Sequence, residues 1–138
     1  MEIRNKIKAS GLKATPQRRL VYQAMQKFGH ASIDEVVAFV QSVTPDMHIS
    51  TIYRIMESFC EVGLLSRIYN SEGKTYFDIT PTEHHHFFTE TGEIVDFEDR
   101  ELTALIREKC KNKIGDGQTI KKVSIQIMVA EKTDLPVI

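Results

Sequence analysis

The sequence predicts an α+β protein, in which an N-terminal winged helix-turn-helix domain precedes a small α/β dimerisation domain. Two observations carry this prediction. After a short helical pattern at residues 2–9, three further helical patterns lead into a pair of strand patterns before residue 80, and three helices followed by a hairpin are the order of a winged helix. Beyond residue 80, short strand patterns flank one further helix. A small sheet has edge strands that a second copy of the chain can cover, so we expect a dimer.

The first three elements are helices with recognisable starts. Residues 2–9 form a short amphipathic pattern that Gly11 stops. Thr15-Pro16 combines a capping hydroxyl with a proline at the first helical position, so a second helix should run to about Phe28. Ser32–Glu35 has the residue order of a capping box, which predicts the start of a third helix.

The stretch from Ser50 to Leu65 is the most informative helix pattern. We expect Ser50 to be its N-cap and Gly63 to end it. One face is apolar at helical spacing, and it consists of Ile52, Ile55, Met56 and Phe59. The opposite face carries polar groups, namely Thr51, Tyr53, Arg54 and Glu57. A helix docked in a DNA major groove presents a phenol and a guanidinium near its N-terminal end in this way, so we expect a recognition helix.

A hairpin completes the predicted N-terminal domain. Leu64–Tyr69 and Lys74–Ile79 read as strands, and the intervening Asn-Ser-Glu-Gly has hairpin turn chemistry. The hairpin would be the wing. We therefore predict a DNA-binding domain at residues 1–79.

The composition changes after the wing. Residues 80–83 are expected to be a hinge, because Pro81 cannot continue a strand ladder and restricts the residue before it. Residues 84–138 are predicted to form the second domain. Its expected elements are strands at 87–88, 93–97 and 123–129 and a helix from Asp99 to about Lys113. The last strand shows clean alternation of apolar and polar residues.

Composition narrows the class of protein. The 138 residues are 41% hydrophobic and 27% charged, with no apolar run near the ~20 residues that span a bilayer. No signal-peptide core is present, so we expect a cytoplasmic protein without a membrane partner. The first 33 residues carry seven Lys and Arg against Glu2 alone. This local charge suits a phosphate-contacting surface, although a solvated helical face would give the same count.

The motifs then resemble a known family. Gly11–Arg18, His30–Glu35, Ser50–Arg54 with Gly63–Leu65, and a histidine run ahead of Gly92–Phe97 are similar, in the same order, to the ferric uptake regulator family. The resemblance covers nearly the whole chain. It implies a homodimeric transcriptional regulator, of the repressor kind and not an enzyme, that binds a palindromic double-stranded operator. It also implies that metal bound between the domains sets the pose of the DNA-binding lobes.

The resemblance implies a set of DNA-contacting residues in and before the recognition helix. These are Lys13, Arg18, Arg19, Ser50, Thr51, Tyr53 and Arg54. Tyr53 and Arg54 match contacts to bases and phosphates. Lys13 matches a basic residue that reaches the DNA ahead of the second helix, often in the minor groove. Arg18 and Arg19 are candidates for phosphate contacts.

The histidine triplet points to metal. In an extended segment alternate side chains face opposite sides, so His84 and His86 should share one face and His85 the other. The resemblance implies an interdomain ligand set of His30, Asp78, His86 and Asp96. Two imidazoles and two carboxylates suit Zn²⁺, Fe²⁺ or Mn²⁺ without choosing among them, and we expect one such ion per subunit.

Two alternatives within this metal assignment stay open. The chain is a residue or two shorter than the family pattern between the histidines and Gly92, so His85 could replace His86. The family's second metal site is incomplete here, and Glu101 with His84 could form part of one.

The chain also departs from the family pattern at the cysteines. Where the family commonly has a CxxCG segment, this chain has Phe88–Gly92, so we expect no cysteine-ligated structural zinc. Cys60 and Cys110 fall on apolar helical faces and are expected to be core thiols. Without the family's cysteine zinc site the effector could also differ, so a haem- or redox-responsive regulator is an alternative. Five His, two Cys and five Met could supply haem ligands. A metal-dependent hydrolase would need a base and a cleft that no motif supplies.

Overall fold

The computed structural model describes residues 2–132, and the chain divides into two compact units. The first unit ends at Pro81 and the second begins at Thr82. Each unit has its own three-stranded sheet, so the predicted α+β class with two domains of mixed structure is confirmed. Within residues 2–132 no helix is long and apolar enough to cross a membrane.

The first unit is a winged helix. Its elements in chain order are α1 (Ile3–Ala9), α2 (Pro16–Phe28), β1 (His30–Ala31), α3 (Ile33–Val43), α4 (Ile49–Glu61), β2 (Ser66–Tyr69) and β3 (Thr75–Asp78). The sheet has the order β1-β3-β2, with both pairings antiparallel. Strands β2 and β3 form the wing.

The predicted starts of α2 and α3 are confirmed. The Thr15 hydroxyl accepts a hydrogen bond from the backbone N–H of Arg18 at 3.2 Å, with Pro16 at the first helical position. At α3 the Ser32 hydroxyl accepts from the N–H of Glu35 at 3.4 Å, and the Glu35 carboxylate accepts in return from the N–H of Ser32 at 3.1 Å. Both caps satisfy N–H groups that have no partner inside the helix.

The prediction that Ser50 caps α4 is wrong, because the cap is His48. His48 has an extended backbone, and its Nδ1 accepts a hydrogen bond from the N–H of Ser50 at 3.2 Å. The helix therefore begins at Ile49 and Ser50 is its second residue. A neutral imidazole supplies the same acceptor as the usual serine or aspartate cap. The helix ends at Glu61, shortly before Gly63, whose φ of 79° is readily adopted by glycine.

The apolar stripe of α4 lies in the core of the first unit. Ile52, Met56 and Phe59 are fully buried, as the helical spacing predicts. The Phe59 ring meets the Tyr22 ring of α2 edge-to-face, with centroids 5.8 Å apart. Close packing on one side fixes the direction in which the opposite side of α4 points.

Strand β1 was not predicted from the sequence. It is only two residues long, and it pairs with β3 so that His30 lies opposite Asp78. Hydrophobic alternation cannot show in so short a segment. The pairing is nevertheless the contact that brings these two side chains together.

The second unit is a small sheet with one long helix. Its elements are β4 (His85–Thr89), β5 (Ile94–Phe97), α5 (Arg100–Cys110) followed by a 3₁₀ turn at Lys111–Lys113, and β6 (Gln126–Val129). The sheet order is β5-β4-β6, with β4 antiparallel to β5 and parallel to β6.

Strand β6 is shorter than the alternation of residues 123–129 predicts. It begins at Gln126; side chains bind two of the backbone N–H groups before it, and the carbonyl of Ile125 accepts a hydrogen bond from the N–H of His86 in β4 at 2.9 Å. The N–H of Val123 donates to the Glu83 carboxylate at 2.9 Å, and the N–H of Ile125 donates to His85 Nδ1 at 3.1 Å. Val123 is buried as predicted, whereas the apolar residues of β6 itself are largely exposed.

Candidate DNA-binding surface and metal centre

The exposed side of α4 carries the predicted contact pair. Tyr53 is 49% exposed, and Arg54 is also exposed. The Nε of Arg54 donates to the backbone carbonyl of Ser50 at 3.4 Å, which holds the side chain along the first turn of the helix. A phenol and a guanidinium at this end of a helix can donate hydrogen bonds to base edges and to phosphate oxygens.

A surface hollow lies beside this pair. Its volume is about 310 Å³, and it is lined by Thr15, Gln17, Arg18, Thr51, Arg54, Ile55 and Ser58. The structure thus brings Arg18, Thr51 and Arg54 to one surface. Arg18 Nη1 donates to the carbonyl of Lys13 at 3.0 Å, which links the exposed Lys13 to the start of α2. Arg19 lines a different hollow, on the side of α2 that faces α1.

Glu57, one turn further along α4, is bound to the wing. Its carboxylate accepts a hydrogen bond from Nη2 of Arg67 in β2. The Arg67 guanidinium also lies over the ring of Phe77 in β3, 6.0 Å from its centroid. The hydrogen bond to Glu57 raises the pKa of Arg67 above its already high ordinary value. The Arg67 guanidinium therefore stays charged, and its hydrogen bond to Glu57 joins the polar face of α4 to the wing.

The first unit contains an imidazole–carboxylate pair. His30 in β1 and Asp78 in β3 are register partners, and His30 Nε2 lies 3.7 Å from Asp78 Oδ2. The other carboxylate oxygen, Oδ1, accepts a hydrogen bond from the N–H of Thr80 at 2.7 Å. That bond orients Asp78, as hydrogen bonds to ligating carboxylates commonly do in metal sites.

The second unit contains a larger group of donors. His84 and His86 share one face, and their rings lie 4.6 Å apart. Asp96 is the register partner of His86 across β4 and β5. Its Oδ1 lies 3.4 Å from His86 Nε2 and 3.8 Å from His84 Nε2. Two imidazoles and a carboxylate within this range form a donor set that fits Zn²⁺, Fe²⁺ or Mn²⁺.

A backbone contact determines which ring nitrogen of His84 can bind a metal ion. Its Nδ1 lies 2.6 Å from the carbonyl oxygen of Thr82. A carbonyl can only accept, so Nδ1 carries the proton and the lone pair of the neutral ring is on Nε2, which faces Asp96. This is the arrangement of a histidine that binds metal through one nitrogen and donates from the other.

His85 faces the opposite side of β4, and both of its nitrogens are occupied. Nδ1 accepts from the N–H of Ile125, and Nε2 lies 2.7 Å from the hydroxyl of Thr103 in α5. That hydroxyl donates onward to the carbonyl of Asp99 at 2.9 Å, so Nε2–H is the donor to Thr103. Burial lowers the pKa of His85, which keeps the ring neutral. The structure does not bring His85 to the donors of the second unit.

Glu101 also lies apart from these donors, exposed in the first turn of α5. Glu83 and Thr103 are polar residues of this unit that sequence reasoning missed. The Glu83 carboxylate accepts from the N–H of Val123 and from Arg107 Nη2 at 2.7 Å, and these bonds lower the pKa of Glu83. The two partners of Glu83 lie 24 and 40 residues away in the sequence, so no local pattern predicts these contacts.

The two cysteines are partly buried rather than fully buried. Cys60 packs against the core of the first unit, and burial raises the pKa of its thiol. Within the described residues, neither cysteine joins a group of three or more potential metal donors.

A winged helix with an exposed tyrosine–arginine pair, followed by an α/β unit with clustered imidazole and carboxylate donors, is the architecture of a DNA-binding, metal-responsive transcriptional regulator. The family model described as "Ferric uptake regulator family" matches residues 9–128. The chain belongs to this family. Its members are transcriptional regulators and not enzymes.

Known relatives show how broad the similarity is. A ferric uptake regulation protein of Rhizobium leguminosarum bv. viciae is 28% identical over 128 residues, covering 91% of this chain and 89% of the relative. The peroxide operon regulator of Bacillus subtilis is 28% identical over 93 residues, covering 66% of this chain and 64% of the relative. The structure of the ferric uptake regulator from Pseudomonas aeruginosa with manganese superposes with a TM-score of 0.77 at 24% identity. That superposition covers 96% of this chain and 99% of the other, and it supports the fold.

Proposed function

We propose that the chain is a homodimeric repressor that binds a palindromic operator, and that one divalent metal ion per subunit sets its affinity for that operator. The observation that carries the proposal is the pair of donor groups. An imidazole–carboxylate pair ends the wing strand β3 in the first unit, and a second imidazole–carboxylate group lies on β4 and β5 of the second. In this proposal the DNA-binding part and the dimerisation part each supply ligands for the metal ion.

In this proposal α4 enters the major groove. Tyr53 and Arg54 contact base edges and phosphates, and Ser50 and Thr51 lie beside them at the start of the helix. Lys13, Arg18 and Arg19 contact the phosphate backbone. The exposure of Tyr53 and Arg54 and the shared hollow of Arg18, Thr51 and Arg54 support these roles. Base contacts specify the sequence, whereas the phosphate contacts fix the position of the domain on the duplex.

The proposed ligands are His30 and Asp78 from the first unit with His86 and Asp96 from the second, and His84 is a further donor of the second group. The metal, when bound, supplies a link between donors of both units. Such an ion favours whichever arrangement of the units lets all donors bind it, by its differential affinity for that arrangement. The hydrogen bond that the Thr80 N–H donates to Asp78, and the one that His84 Nδ1–H donates to the Thr82 carbonyl, hold two metal ligands in orientation before the metal arrives.

The proposed dimer interface is the edge of the small sheet formed by β6. Among the described strands β6 lies at an edge of the order β5-β4-β6. It exposes three consecutive apolar residues, Ile127, Met128 and Val129, at 38%, 45% and 44%. A second copy that covers this strand would remove apolar surface and unpaired backbone groups from water.

The DNA-binding part is tested with Arg54→Ala. We expect the variant to lose about 1–3 kcal/mol of binding to a duplex selected from a randomised library by the wild-type protein, with relaxed preference at one base position. Affinity is measured by fluorescence anisotropy at fixed salt. Lys27→Ala, which removes a charge at the far end of α2, is the control. Unchanged affinity and specificity of Arg54→Ala would refute its role.

The metal switch is tested with Asp96→Asn. Elemental analysis should find about one bound Zn, Fe or Mn per wild-type subunit and a large loss in the variant. A ligand at 100 times its Kd stabilises the folded state by about 2.7 kcal/mol, so metal should raise the wild-type melting temperature and not that of Asp96→Asn. Glu101→Gln, an exposed carboxylate of the same unit, is the matched control. Equal operator binding with and without metal would contradict the switch.

A further inference from the structure

We propose that Arg67 is a positioning residue for DNA binding, because it draws the Glu57 carboxylate away from Arg54. The inference rests on the proposed function, in which α4 is the helix that contacts DNA. It assigns a role to the wing strand β2 that does not require the wing itself to touch the duplex. The geometry of three charged side chains carries it.

Glu57 lies in α4 within reach of the contact pair. It follows Arg54 by three residues and Tyr53 by four, and side chains at these spacings are neighbours on a helix surface. A carboxylate there can neutralise Arg54 and repel DNA phosphates. In the structure it instead accepts a hydrogen bond from Arg67. Within residues 2–132, Arg54 donates through Nε to the Ser50 carbonyl, which leaves its terminal nitrogens for the DNA.

Arg67 is held in place from a second direction. It is the register partner of Phe77 across the wing, and its guanidinium lies over that ring. Phe77 is buried in the core of the first unit. The stack and the hydrogen bond together fix the planar group, which a flexible ammonium could not match in both respects.

The pair contributes little to folding. The side chains of Arg67 and Glu57 are both 33% exposed, and exposed ion pairs add at most a small increment to stability. Its effect should therefore appear in DNA binding. With Arg67 removed, Glu57 is free to bind Arg54, so one phosphate contact is lost and a negative charge faces the duplex.

The test is a double-mutant cycle on the full chain, with the metal-loaded wild-type protein and its selected duplex as reference. We expect Arg67→Gln to weaken binding by about tenfold and to reduce the slope of log affinity against log salt by about 0.9, the value of one phosphate contact. Glu57→Gln should bind within about twofold of wild type. The double variant should recover the affinity and the salt slope of Glu57→Gln.

Each outcome decides between explanations. If the double variant stays as weak as Arg67→Gln, then Arg67 contacts DNA itself or holds the wing, and the positioning role is wrong. If Arg67→Gln binds DNA as tightly as the wild-type protein, the positioning role of Arg67 is also wrong. Urea unfolding shows whether Arg67→Gln remains folded, and Arg67→Lys should recover part of the affinity. Lys27→Gln is the control for loss of one charge in the same unit.

Failure of the proposed function gives a different pattern. If α4 does not contact DNA, Arg54→Ala binds like wild type and all members of the cycle are equal. If Arg54→Ala is weak while Arg67→Gln is not, DNA binding through α4 stands and only the role of Arg67 is lost.

Discussion

The chemistry of each histidine is decided by one or two neighbouring atoms. Three successive histidines are indistinguishable by residue type. The Thr82 carbonyl nevertheless holds the proton of His84 on Nδ1, so Nε2 has the lone pair that can bind a metal ion. Both ring nitrogens of His85 form hydrogen bonds, one with the Thr103 hydroxyl and the other with the backbone N–H of Ile125. Alternation along an extended chain predicts which histidines share a face. It cannot show which nitrogen is available, because that depends on the hydrogen-bond partners, which for His85 lie 18 and 40 positions away.

At the residue scale, the thiol of Cys60 should react slowly. Burial raises its pKa most; to a smaller extent the charge of Arg67 lowers this pKa and the charges of Glu57 and Glu61 raise it. The thiolate is the nucleophile, so at a given pH less of it is present than in a free thiol. In a Cys110→Ser background, the pH midpoint of iodoacetamide alkylation should lie above that of free cysteine, whose pKa is about 8.5.

The same measurement in denaturing urea is the control. Unfolding removes the burial, so the midpoint should return to the value of a free thiol. A native midpoint at or below that value would show that Cys60 is an activated thiol, and the raised pKa would then be wrong.

At the scale of elements, a short stretch predicts a helix better than it predicts how the helix begins. The spacing of Ile52, Met56 and Phe59 predicts the buried face of α4 correctly, because a helix repeats its own geometry. Its start depends on which nearby side chain reaches the free N–H groups. Serine is among the residue types preferred at an N-cap. In this chain, however, His48 is the N-cap, and its side chain accepts the hydrogen bond from the N–H of Ser50.

The cap of α4 gives a prediction at this scale. His48→Ala removes the acceptor and should lower the free energy of unfolding by about 0.5–2 kcal/mol. His48→Asn should retain most of the stability, since asparagine is among the best N-cap residues. Urea unfolding at neutral pH, monitored by circular dichroism, measures both. Equal stability of His48→Ala and wild type would mean that water replaces the cap without cost.

Strands are harder to predict than helices in this chain, for the same physical reason. β1 has two residues and exists because β3 pairs with it. β6 begins at Gln126, and before it the N–H groups of Val123 and Ile125 donate to the side chains of Glu83 and His85. The partner of a strand is distant in sequence, so local alternation predicts neither its ends nor its register.

At the scale of the molecule, each unit is internally consistent. Among the residues that the structure describes, every member of the core of the first unit lies between Ile3 and Ile79, before the division at Pro81. The second unit has its own sheet and helix, joined by the contacts of Glu83, His85 and Thr103. Family membership agrees with this division, since such regulators combine a DNA-binding part with a dimerisation part.

A fragment of residues 1–81 should therefore fold on its own. We expect a helical circular dichroism spectrum and a single cooperative unfolding transition, because the apolar core is complete within the fragment. Its binding to the selected duplex should be much weaker than that of the full chain, because a lone domain contacts one half-site. A gradual, non-cooperative transition would show that this core needs the rest of the chain.

The sequence by itself determined the helices, the wing, the α+β class, the polar face of α4 and the residue types available for metal. Each of these depends on local periodicity, on turn chemistry or on motifs that can be read in the sequence. The tertiary structure decided that His48 caps α4, that Glu57 pairs with Arg67, and that His30 lies opposite Asp78. It also decided that His84 and His86 lie beside Asp96 while His85 faces Thr103. These contacts join side chains that are distant in the chain or that compete for one partner, and only packing in three dimensions chooses among them.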